Sequence, residues 1–385
     1  MLFTPSLPRI AFVGPIAEPG KPAGGGFAAA NRRTIDLLRS EGIRVLEYAY
    51  PDVSGSLFRK SAVYGLSFTE IAVRLIRSHW DWDILHITPL LRQFLAAEAL
   101  LCRIPGKLGK ALFLDLRAGA LIRNYHERGD TYRRRLAQLV RRASTVAVEG
   151  KSYAEFVRQW THSEVFYFPN YVVSQDSCIP ARCKPTPSTD IRLIALGRIT
   201  PQKGTRLAVD IVGKAQACGM RVSLDIIGDG EPAYVEFLKT KCRQLPVSFT
   251  GPLPPAKIAD YLSSSHFFIF PTTHPGEGHS NALTETMALG VVPICSDNGF
   301  NREVVEGAGA VLPKTAGAED YLRAIQNIVD RANWGALSQS AASRVKENFS
   351  HTVVLPGLID HYQQAYNALE CAFPMTKNIR RRSSY

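Results

Sequence analysis

An alternation of strand and helix patterns that runs twice along the chain is the feature that most constrains its fold. Short apolar runs rich in β-branched and aromatic residues alternate with helical segments from "RIAFVGP" (9–15) to "VFYFPNYV" (165–172). The alternation restarts at "IRLIALGRI" (191–199) and continues to "GAVLP" (309–313). Because parallel strands need crossover helices, each half predicts a parallel sheet covered by helices. We therefore predict an α/β fold with two Rossmann-like domains that face each other across a cleft.

The length and one polar segment indicate where the domains divide. A chain of 385 residues is long enough for two or three domains. Residues 174–190 are rich in Pro and Ser, which is typical of a linker. We predict four parts: a domain over 1–175, a linker over 176–190, a domain over 191–350, and a region over 351–385. That last region would hold a helix, with a return to the first domain as one option, and a basic tail.

Bulk composition favours a globular protein of a reducing compartment. Hydrophobic residues make up 45% and charged residues 21% of the chain. No uncharged apolar stretch reaches the ~18 residues of a membrane span, and the start does not resemble a signal peptide. The seven cysteines are scattered and form no C-x-x-C pair, which argues against structural zinc and for reduced thiols. We expect a cytoplasmic protein, with peripheral attachment to the inner face of the cytoplasmic membrane as an option.

Positive charge is concentrated in the first half. The chain carries +12, and residues 1–170 hold 24 Lys/Arg against 15 Asp/Glu. The run "YRRRLAQLVRRAS" (132–144) places five arginines at helical spacing, and "KNIRRRSSY" (377–385) ends the chain. Such surfaces attract nucleic acid or anionic lipid, although a solvated helix face and a frayed tail would look the same. The chain lacks zinc spacing, RNP-like aromatics and a helix-turn-helix pattern, so we expect no nucleic-acid partner.

The stretch "PGEGHSNALTE" (275–285) predicts an anion site bordered by two acids. Glu277 lies between two glycines, and Ser280 or Asn281 can cap a helix that continues towards Gly290. Glu285 then lies about one turn inside that helix. First-turn amides favour phosphate, and here they belong to Asn281, Ala282 and Leu283. Carboxylates suit the hydroxyls of a ribose or hexose, so a sugar nucleotide would fit. The alternative is an ordinary capped helix with two solvated acids.

Two cations and a glycine-containing turn follow other strands of the second half. In "ALGRITPQKGT" (195–205), Arg198 and Lys203 lie at a strand-to-helix turn, where they could hold a diphosphate. In "VSFTGPL" (247–253), the backbone leading to Leu253 follows a strand, and a nucleotide base could lie against it.

Taken in order, these motifs resemble the retaining glycosyltransferases of family 4, which have the GT-B fold. The resemblance runs over roughly residues 191–313: GRxxPxKG (Gly197 to Gly204), "LDIIGDGE", "VSFTGPL", "FFIFPTT", the E-x7-E element, and "ALGVVPICSDNGFNREVVEG". The first half matches more loosely, through "DILHITP", "FYFPNYV" and a glycine-rich loop with Gly25 and Gly26 ahead of the first helix.

The resemblance implies a role for each matching residue. Arg198 and Lys203 would neutralise the donor pyrophosphate, Glu277 would bind hydroxyls of the donor hexose, and Glu285 would bind the ribose. The phosphate would meet the loop and helix start formed by Gly278, His279, Ser280, Asn281, Ala282 and Leu283. Since Arg, Lys and the helix dipole replace a divalent metal, no metal or cofactor is expected. We identify no D-x-D motif of the kind that metal-dependent transferases use.

The first half departs from the family at one position. Family members often carry a histidine after a strand of the first domain, near the donor sugar. Here "FLDLRAG" (113–119) has Asp115 or Arg117 in that region, and these two residues could instead pair with each other. His86 in "LHITP" is another candidate, although a histidine in a strand is commonly a packed one.

The sequence-based hypothesis is therefore a glycosyltransferase. It would move a hexose from a nucleotide-sugar donor to a saccharide or lipid-linked acceptor with retention, in cell-surface polysaccharide or glycolipid synthesis. Retention follows from the resemblance alone. A GT-B-fold sugar-nucleotide epimerase and a non-catalytic sugar-nucleotide-binding protein remain alternatives. An NAD-dependent dehydrogenase is disfavoured because neither domain opens with G-x-G-x-x-G.

Overall fold

The chain forms two compact units. A computed structural model describes residues 7–19, 25–51, 57–117, 119–161, 163–173, 187 and 190–372. One unit comprises residues 1–168 with 355–385, and the other comprises residues 169–354. Nearly all of the predicted linker and the whole basic tail lie outside the described residues. The linker was predicted to extend to residue 190, but Asp190 already pairs in the first strand of the second unit.

The N-terminal unit contains a six-stranded parallel sheet in the order β2-β1-β3-β4-β5-β6. Its strands are β1 (Ile10–Gly14), β2 (Val45–Ala49), β3 (Ile84–Ile87), β4 (Ala111–Leu116), β5 (Thr145–Val148) and β6 (Val165–Tyr167). The helices between them are α1 (Gly26–Ser40), α2 (Leu57–Arg77), α3 (Leu95–Leu101), α4 (Ile104–Lys107), α5 (Leu121–Glu127), α6 (Asp130–Arg142) and α7 (Lys151–Arg158).

The second unit contains another six-stranded parallel sheet, in the order β12-β11-β10-β7-β8-β9. Its strands are β7 (Asp190–Leu196), β8 (Arg221–Ile227), β9 (Val247–Gly251), β10 (Phe267–Phe270), β11 (Val292–Ser296) and β12 (Ala310–Leu312). The helices that follow β7 are α8 (Thr205–Ala217), α9 (Pro232–Lys241), α10 (Pro255–Ser264), α11 (Asn281–Ala288), α12 (Asn301–Val305), α13 (Ala318–Asp330), α14 (Trp334–Asn348) and α15 (His351–Ala372).

Burial along the strands explains why they appear in the sequence as runs of apolar residues. A parallel sheet is covered by helices on both faces, so its central strands must be apolar at successive positions. Every residue of β3, β4, β5, β10 and β11 is buried, whereas the edge strands β6, β9 and β12 are partly exposed. The predicted strand–helix alternation is confirmed in both halves.

Each sheet has one place where the strand order reverses. In the N-terminal sheet the chain leaves β1 for β2 on one side and continues from β3 on the other. In the second sheet the reversal lies between β7 and β10. Ligands of open parallel sheets bind beyond the carboxyl ends of the strands at such a point. We therefore expect a ligand site of the second unit at the loops after β7 and β10.

Residues 355–372 of α15 belong to the N-terminal unit. Tyr362 in this helix is fully buried, and its hydroxyl is hydrogen-bonded to His86 of β3. Within the part of the chain that the structure describes, no helix is both long and apolar enough to cross a bilayer.

Candidate functional site

The loop after β7 carries the two predicted cations. Arg198 lies two residues beyond β7 and is exposed, with no ion pair or side-chain hydrogen bond to any described residue. Lys203 ends a short 3-10 helix (Pro201–Lys203) that begins after Thr200, whose hydroxyl accepts from the Lys203 amide at 3.3 Å. The turn therefore fixes the backbone of Lys203 and leaves the Arg198 guanidinium in solvent.

Gly204 lets this turn contact the loop that follows β10. Its φ is +75°, and a Cβ at this position would lie 2.3 Å from the Pro271 carbonyl oxygen. The Thr273 amide also donates to the Gln202 carbonyl at 2.8 Å. A glycine is thus required here both for the left-handed backbone and for the close approach. The result is that the two loops at the reversal point form one continuous edge.

At this edge Lys203 and Glu277 form an ion pair. Lys203 Nζ donates to both carboxylate oxygens of Glu277, at 3.0 and 2.7 Å. The Thr272 hydroxyl donates to Glu277 Oε2 at 2.7 Å. Glu277 is 7% exposed, and the Lys203 side chain is 22% exposed. The residue predicted to bind the donor sugar and one of those predicted to bind its phosphates therefore contact each other.

The loop after β11 supports Glu277 from another side. Gly299 has φ +57°, and a Cβ there would lie 2.6 Å from the Glu277 carbonyl oxygen. Asn298 donates its side-chain amide to the His274 carbonyl at 2.9 Å, and the Ser296 hydroxyl donates to the Thr272 carbonyl at 2.6 Å. The position of Glu277 is consequently determined by the loops that follow three neighbouring strands of the sheet, β7, β10 and β11.

Helix α11 begins where the sequence predicted. Ser280, rather than Asn281, is its N-cap, and its hydroxyl accepts from the Leu283 amide at 3.4 Å. One of the three amides predicted to meet phosphate is thus partly satisfied by the cap. Glu285 lies in the second turn and is half-buried. The positive end of the helix dipole lies directly after the Glu277 loop.

His279 was predicted to lie near the ligand, but its side chain is used inside the protein. It is 4% exposed, its Nε2 is 2.7 Å from the Thr284 hydroxyl, and its ring packs edge-on against Phe349 with centroids 5.0 Å apart. Its carbonyl accepts from the Asn170 side chain at 2.6 Å. These contacts fix the loop that carries Gly278, and the His279 imidazole is occupied in doing so.

Leu253 lies further along the same edge. It follows β9, the edge strand two positions from β7, and is half-buried. Strands of a sheet are about 4.8 Å apart, so β9 and β7 are separated by about 10 Å. That separation is suitable for a nucleotide base whose diphosphate lies at β7.

The candidates of the N-terminal unit form a buried polar cluster. Arg117 Nε donates to Asp115 Oδ2 at 2.6 Å, and His86 Nε2 lies 3.4 Å from the same oxygen. The Arg117 guanidinium lies over the Phe168 ring at 4.3 Å. Asp115 and Arg117 therefore do pair with each other, the alternative that the sequence left open.

His86 is stacked between two aromatic rings. Phe12 and Phe113 lie on either side, with centroids 4.2 and 4.7 Å from the imidazole. Burial lowers the pKa of His86, although nearby Asp115 acts in the opposite direction. The histidine is thus packed and uncharged in the sheet. Gly25, at the N-cap of α1, and Gly26, its first residue, lie on the loop after β1.

We expected no D-x-D motif of the kind that metal-dependent transferases use, but Asp81 and Asp83 form a D-x-D pair just before β3. Asp83 binds Arg9 through both oxygens, at 2.9 and 3.1 Å, and Asp81 pairs with Arg44 at 3.3 Å. The pair lies at the amino end of β3, opposite the ligand-binding edge, and both acids serve as ion-pair partners.

Several residues of the site were missed by sequence reasoning. Thr272 orients Glu277, and the others hold its loop: Ser296, Asn298 and Asn170. A signal for three of them was present, because Thr272, Ser296 and Asn298 are polar residues at or just beyond the end of an apolar strand. Asn170 had no comparable signal, since it lies far from the loop in sequence.

Comparison with known proteins identifies the domain that carries this site. Residues 190–331 match the family model described as Glycosyl transferases group 1. The match runs from β7 to the end of α13 and includes every candidate residue of the second unit. This likeness to the group 1 family therefore lies in the second unit and covers less than half of the chain.

One curated relative supports the same assignment at low identity. The phosphatidylinositol N-acetylglucosaminyltransferase GPI3 subunit of Saccharomyces cerevisiae is 24% identical over 186 residues. The matched region is 45% of this chain and 39% of the relative, so it spans well under half of that protein's length.

Solved structures establish the fold of the whole chain. Sucrose-phosphate synthase from Thermosynechococcus elongatus superposes with a TM-score of 0.73 at 16% identity, covering 94% of this chain and 100% of that one. HepE from Anabaena, in complex with UDP, gives a TM-score of 0.65 at 16% identity over the same shares. The predicted GT-B class, with two parallel-sheet α/β domains, is confirmed.

Proposed function

We propose that this protein is a glycosyltransferase that moves a hexose from a nucleotide-sugar donor to a hydroxyl of a saccharide or lipid-linked acceptor, with retention of configuration. The observation that carries the proposal is the edge at β7 and β10, where an arginine without an ion pair among the described residues, a lysine–glutamate pair and a helix N-terminus meet. The likeness to the group 1 family and the neighbour solved with UDP support a nucleotide-sugar donor.

The chemistry needs charge stabilisation on the leaving group. The bond between sugar C1 and the diphosphate oxygen breaks, the acceptor oxygen bonds to C1, and the acceptor hydroxyl proton passes to the departing diphosphate, on which negative charge grows during the reaction. Arg198 can bind phosphate oxygens bidentately, and its guanidinium has no pair among the described residues to give up. Lys203 and the amide end of α11 add positive potential on the same side. Such preorganised charge is commonly the largest single contribution to rate enhancement.

Glu277 is suited to hold the donor sugar. Its carboxylate accepts two bonds from Lys203 and one from Thr272, which set its orientation. A carboxylate has about four acceptor sites, which leaves about one, on Oε1, for a sugar hydroxyl. In this proposal Glu285 binds the ribose hydroxyls, and Leu253 lies against the base.

The acceptor class is drawn from the yeast relative and from the family resemblance. The name of the yeast relative implies a lipid-linked acceptor for that protein, which favours the same class here. We extend the proposal to cell-surface polysaccharide or glycolipid synthesis by a cytoplasmic enzyme. We also propose that turnover needs no divalent metal, because Arg198, Lys203 and α11 supply the positive charge.

A donor screen tests the function. Release of UDP, GDP or ADP from their hexose derivatives is followed with saccharide and lipid-linked acceptors present, with and without EDTA. We expect one donor to give acceptor-dependent release that EDTA leaves unchanged. An epimerised sugar nucleotide would point to the epimerase alternative, and binding without turnover would point to a sensor. Activity that EDTA abolishes and manganese restores would refute the metal-independent mechanism.

A further inference from the structure

We propose that Arg92 and Arg128 form an anion clamp at the carboxyl edge of the N-terminal sheet, which binds a phosphate or diphosphate group of the acceptor. The proposal rests on the proposed glycosyl transfer, because it assigns a substrate class to the acceptor side. Neither residue was a candidate from the sequence.

The first observation is a strained segment directly after β3. Leu91 and Arg92 have φ values of 59° and 52°, so two consecutive residues with side chains have positive φ. This region is unfavourable for residues that carry a Cβ. Such strain persists only where the surroundings enforce it, and it is concentrated at ligand-binding sites. The segment lies beside β1 and β3, where the strand order of this sheet reverses.

A buried acid enforces this conformation. Glu98 is fully buried, and its two oxygens accept from the amides of Leu90 and Leu91 at 2.7 and 2.9 Å. Burial raises the pKa of Glu98 to about 8 in spite of these two bonds. Leu91 is itself fully buried and anchors the segment. A buried carboxyl group is costly to place in an apolar core, so its use here indicates that the shape of the segment matters.

The segment presents Arg92 to solvent. Arg92 is exposed, and its guanidinium has no hydrogen bond or ion pair with the described residues. Its backbone lies beside the hydroxyl of Tyr132, in the first turn of α6. The Arg128 guanidinium lies over the ring of Tyr132, 5.3 Å from its centroid. Arg128 likewise has no acidic partner among the described residues. Two uncompensated arginines therefore flank one tyrosine.

This arrangement fits a phosphate better than a neutral sugar. A guanidinium binds phosphate oxygens through a planar fork of donors, and two of them can share one diphosphate. The Tyr132 hydroxyl is buried, so the two guanidinium groups are the donors of the clamp. The clamp lies in the N-terminal unit, whereas the donor diphosphate is assigned to Arg198 and Lys203 in the other. The two anion sites therefore belong to different substrates.

Equilibrium dialysis of the full-length protein tests the clamp with two probes, farnesyl diphosphate and glucose 1-phosphate. We expect Arg92→Gln/Arg128→Gln to weaken binding of at least one probe tenfold or more, with an unchanged thermal midpoint. The matched control, Lys239→Gln/Arg243→Gln, removes the same charge from exposed positions of the second unit and should bind as wild type. Preference for farnesyl diphosphate would identify a lipid-linked diphosphate as the acceptor group, and equal binding would identify the phosphate itself.

Arg198→Gln separates this proposal from the proposed function. We expect it to retain binding of the probe at the clamp while losing nucleoside diphosphate release from the donor. Probe binding that is lost in Arg198→Gln but kept in Arg92→Gln/Arg128→Gln would overturn the clamp and leave the donor site intact. Wild-type protein that binds neither probe would overturn it as well. If the clamp variant and the control lose the same amount of probe binding, the binding is non-specific charge attraction and the clamp is overturned.

Discussion

The carboxyl edges of the two sheets are built in different ways. In the second unit, each functional group lies in a short motif after one strand, and the contact between Lys203 and Glu277 joins two such motifs. In the N-terminal unit, the polar groups near the edge are held by contacts that no single motif contains. His86 meets Tyr362, 276 positions away, and the buried Glu98 holds the backbone of Leu91 from the following helix. A diphosphate can be bound by cations and amides that a single strand-to-helix turn supplies. The buried polar groups of the N-terminal unit have no such common chemistry, and their positions come from packing.

Removing the charge of Glu277 gives the largest expected effect. It tests whether the short motifs of the second unit carry its function. Glu277→Gln keeps the size of the side chain but loses the charged bonds from Lys203, each worth about 1.5–3 kcal/mol. We expect kcat/KM for the donor to fall by about a hundredfold or more, with Glu347→Gln, exposed on α14, as the unchanged control. A variant that turns over at the wild-type rate would show that the motif is only a structural loop.

The same contrast explains how far sequence reasoning could go. The strands were predictable because most of them are short runs of apolar residues, and Ser280 was one of two named caps for α11. The site residues Arg198, Lys203 and Glu277 were predictable because each lies in a contiguous motif. Glu98 was not, since a glutamate within "LAAEALL" is normal for a helix surface. Its burial depends on strained backbone that no local pattern specifies.

The pH dependence of stability tests whether Glu98 enforces the strained segment. Its pKa rises from 4.5 to about 8 on folding, so its protonated form is favoured in the native state. The stabilisation is present below the unfolded pKa and is lost as pH rises through the folded pKa, with a slope of at most ~1.4 kcal/mol per pH unit.

Thermal midpoints between pH 5 and pH 9 measure this effect. We expect the wild-type midpoint to fall across the range and that of Glu98→Gln to fall less. The variant should also be less stable at pH 6, because Gln leaves one of the two backbone amides unpaired, at a cost of about 1–3 kcal/mol. Glu41→Gln, exposed after α1, serves as the control. Parallel curves for wild type and Glu98→Gln would contradict the assignment.

The basic face of α6 gives the smallest expected effect per residue. Four of its arginines are exposed, whereas Arg133 donates to the carbonyls of Tyr125 and His126 at 2.9 and 3.0 Å. We propose that the exposed four dock on an anionic membrane, at about 1 kcal/mol each. They are Arg134, Arg135, Arg141 and Arg142.

Co-sedimentation with anionic and zwitterionic liposomes decides this point. The wild-type protein should bind the anionic vesicles alone, and changing the four arginines to Gln should abolish binding. The matched control changes four exposed cations of the second unit to Gln: Lys239, Arg243, Lys257 and Lys346. If the control loses as much binding as the α6 variant, only net charge matters and the face has no docking role.

The central claim is that the reversal point of the second sheet binds the donor diphosphate through Arg198 and Lys203. Calorimetric titration of UDP, GDP and ADP into wild type and Arg198→Ala/Lys203→Ala tests it most directly. Two lost charged bonds should weaken the preferred nucleotide by about 3–6 kcal/mol, at least a hundredfold. Lys239→Ala/Arg243→Ala should bind as wild type. Equal affinity in the wild type and the Arg198→Ala/Lys203→Ala variant would contradict the claim.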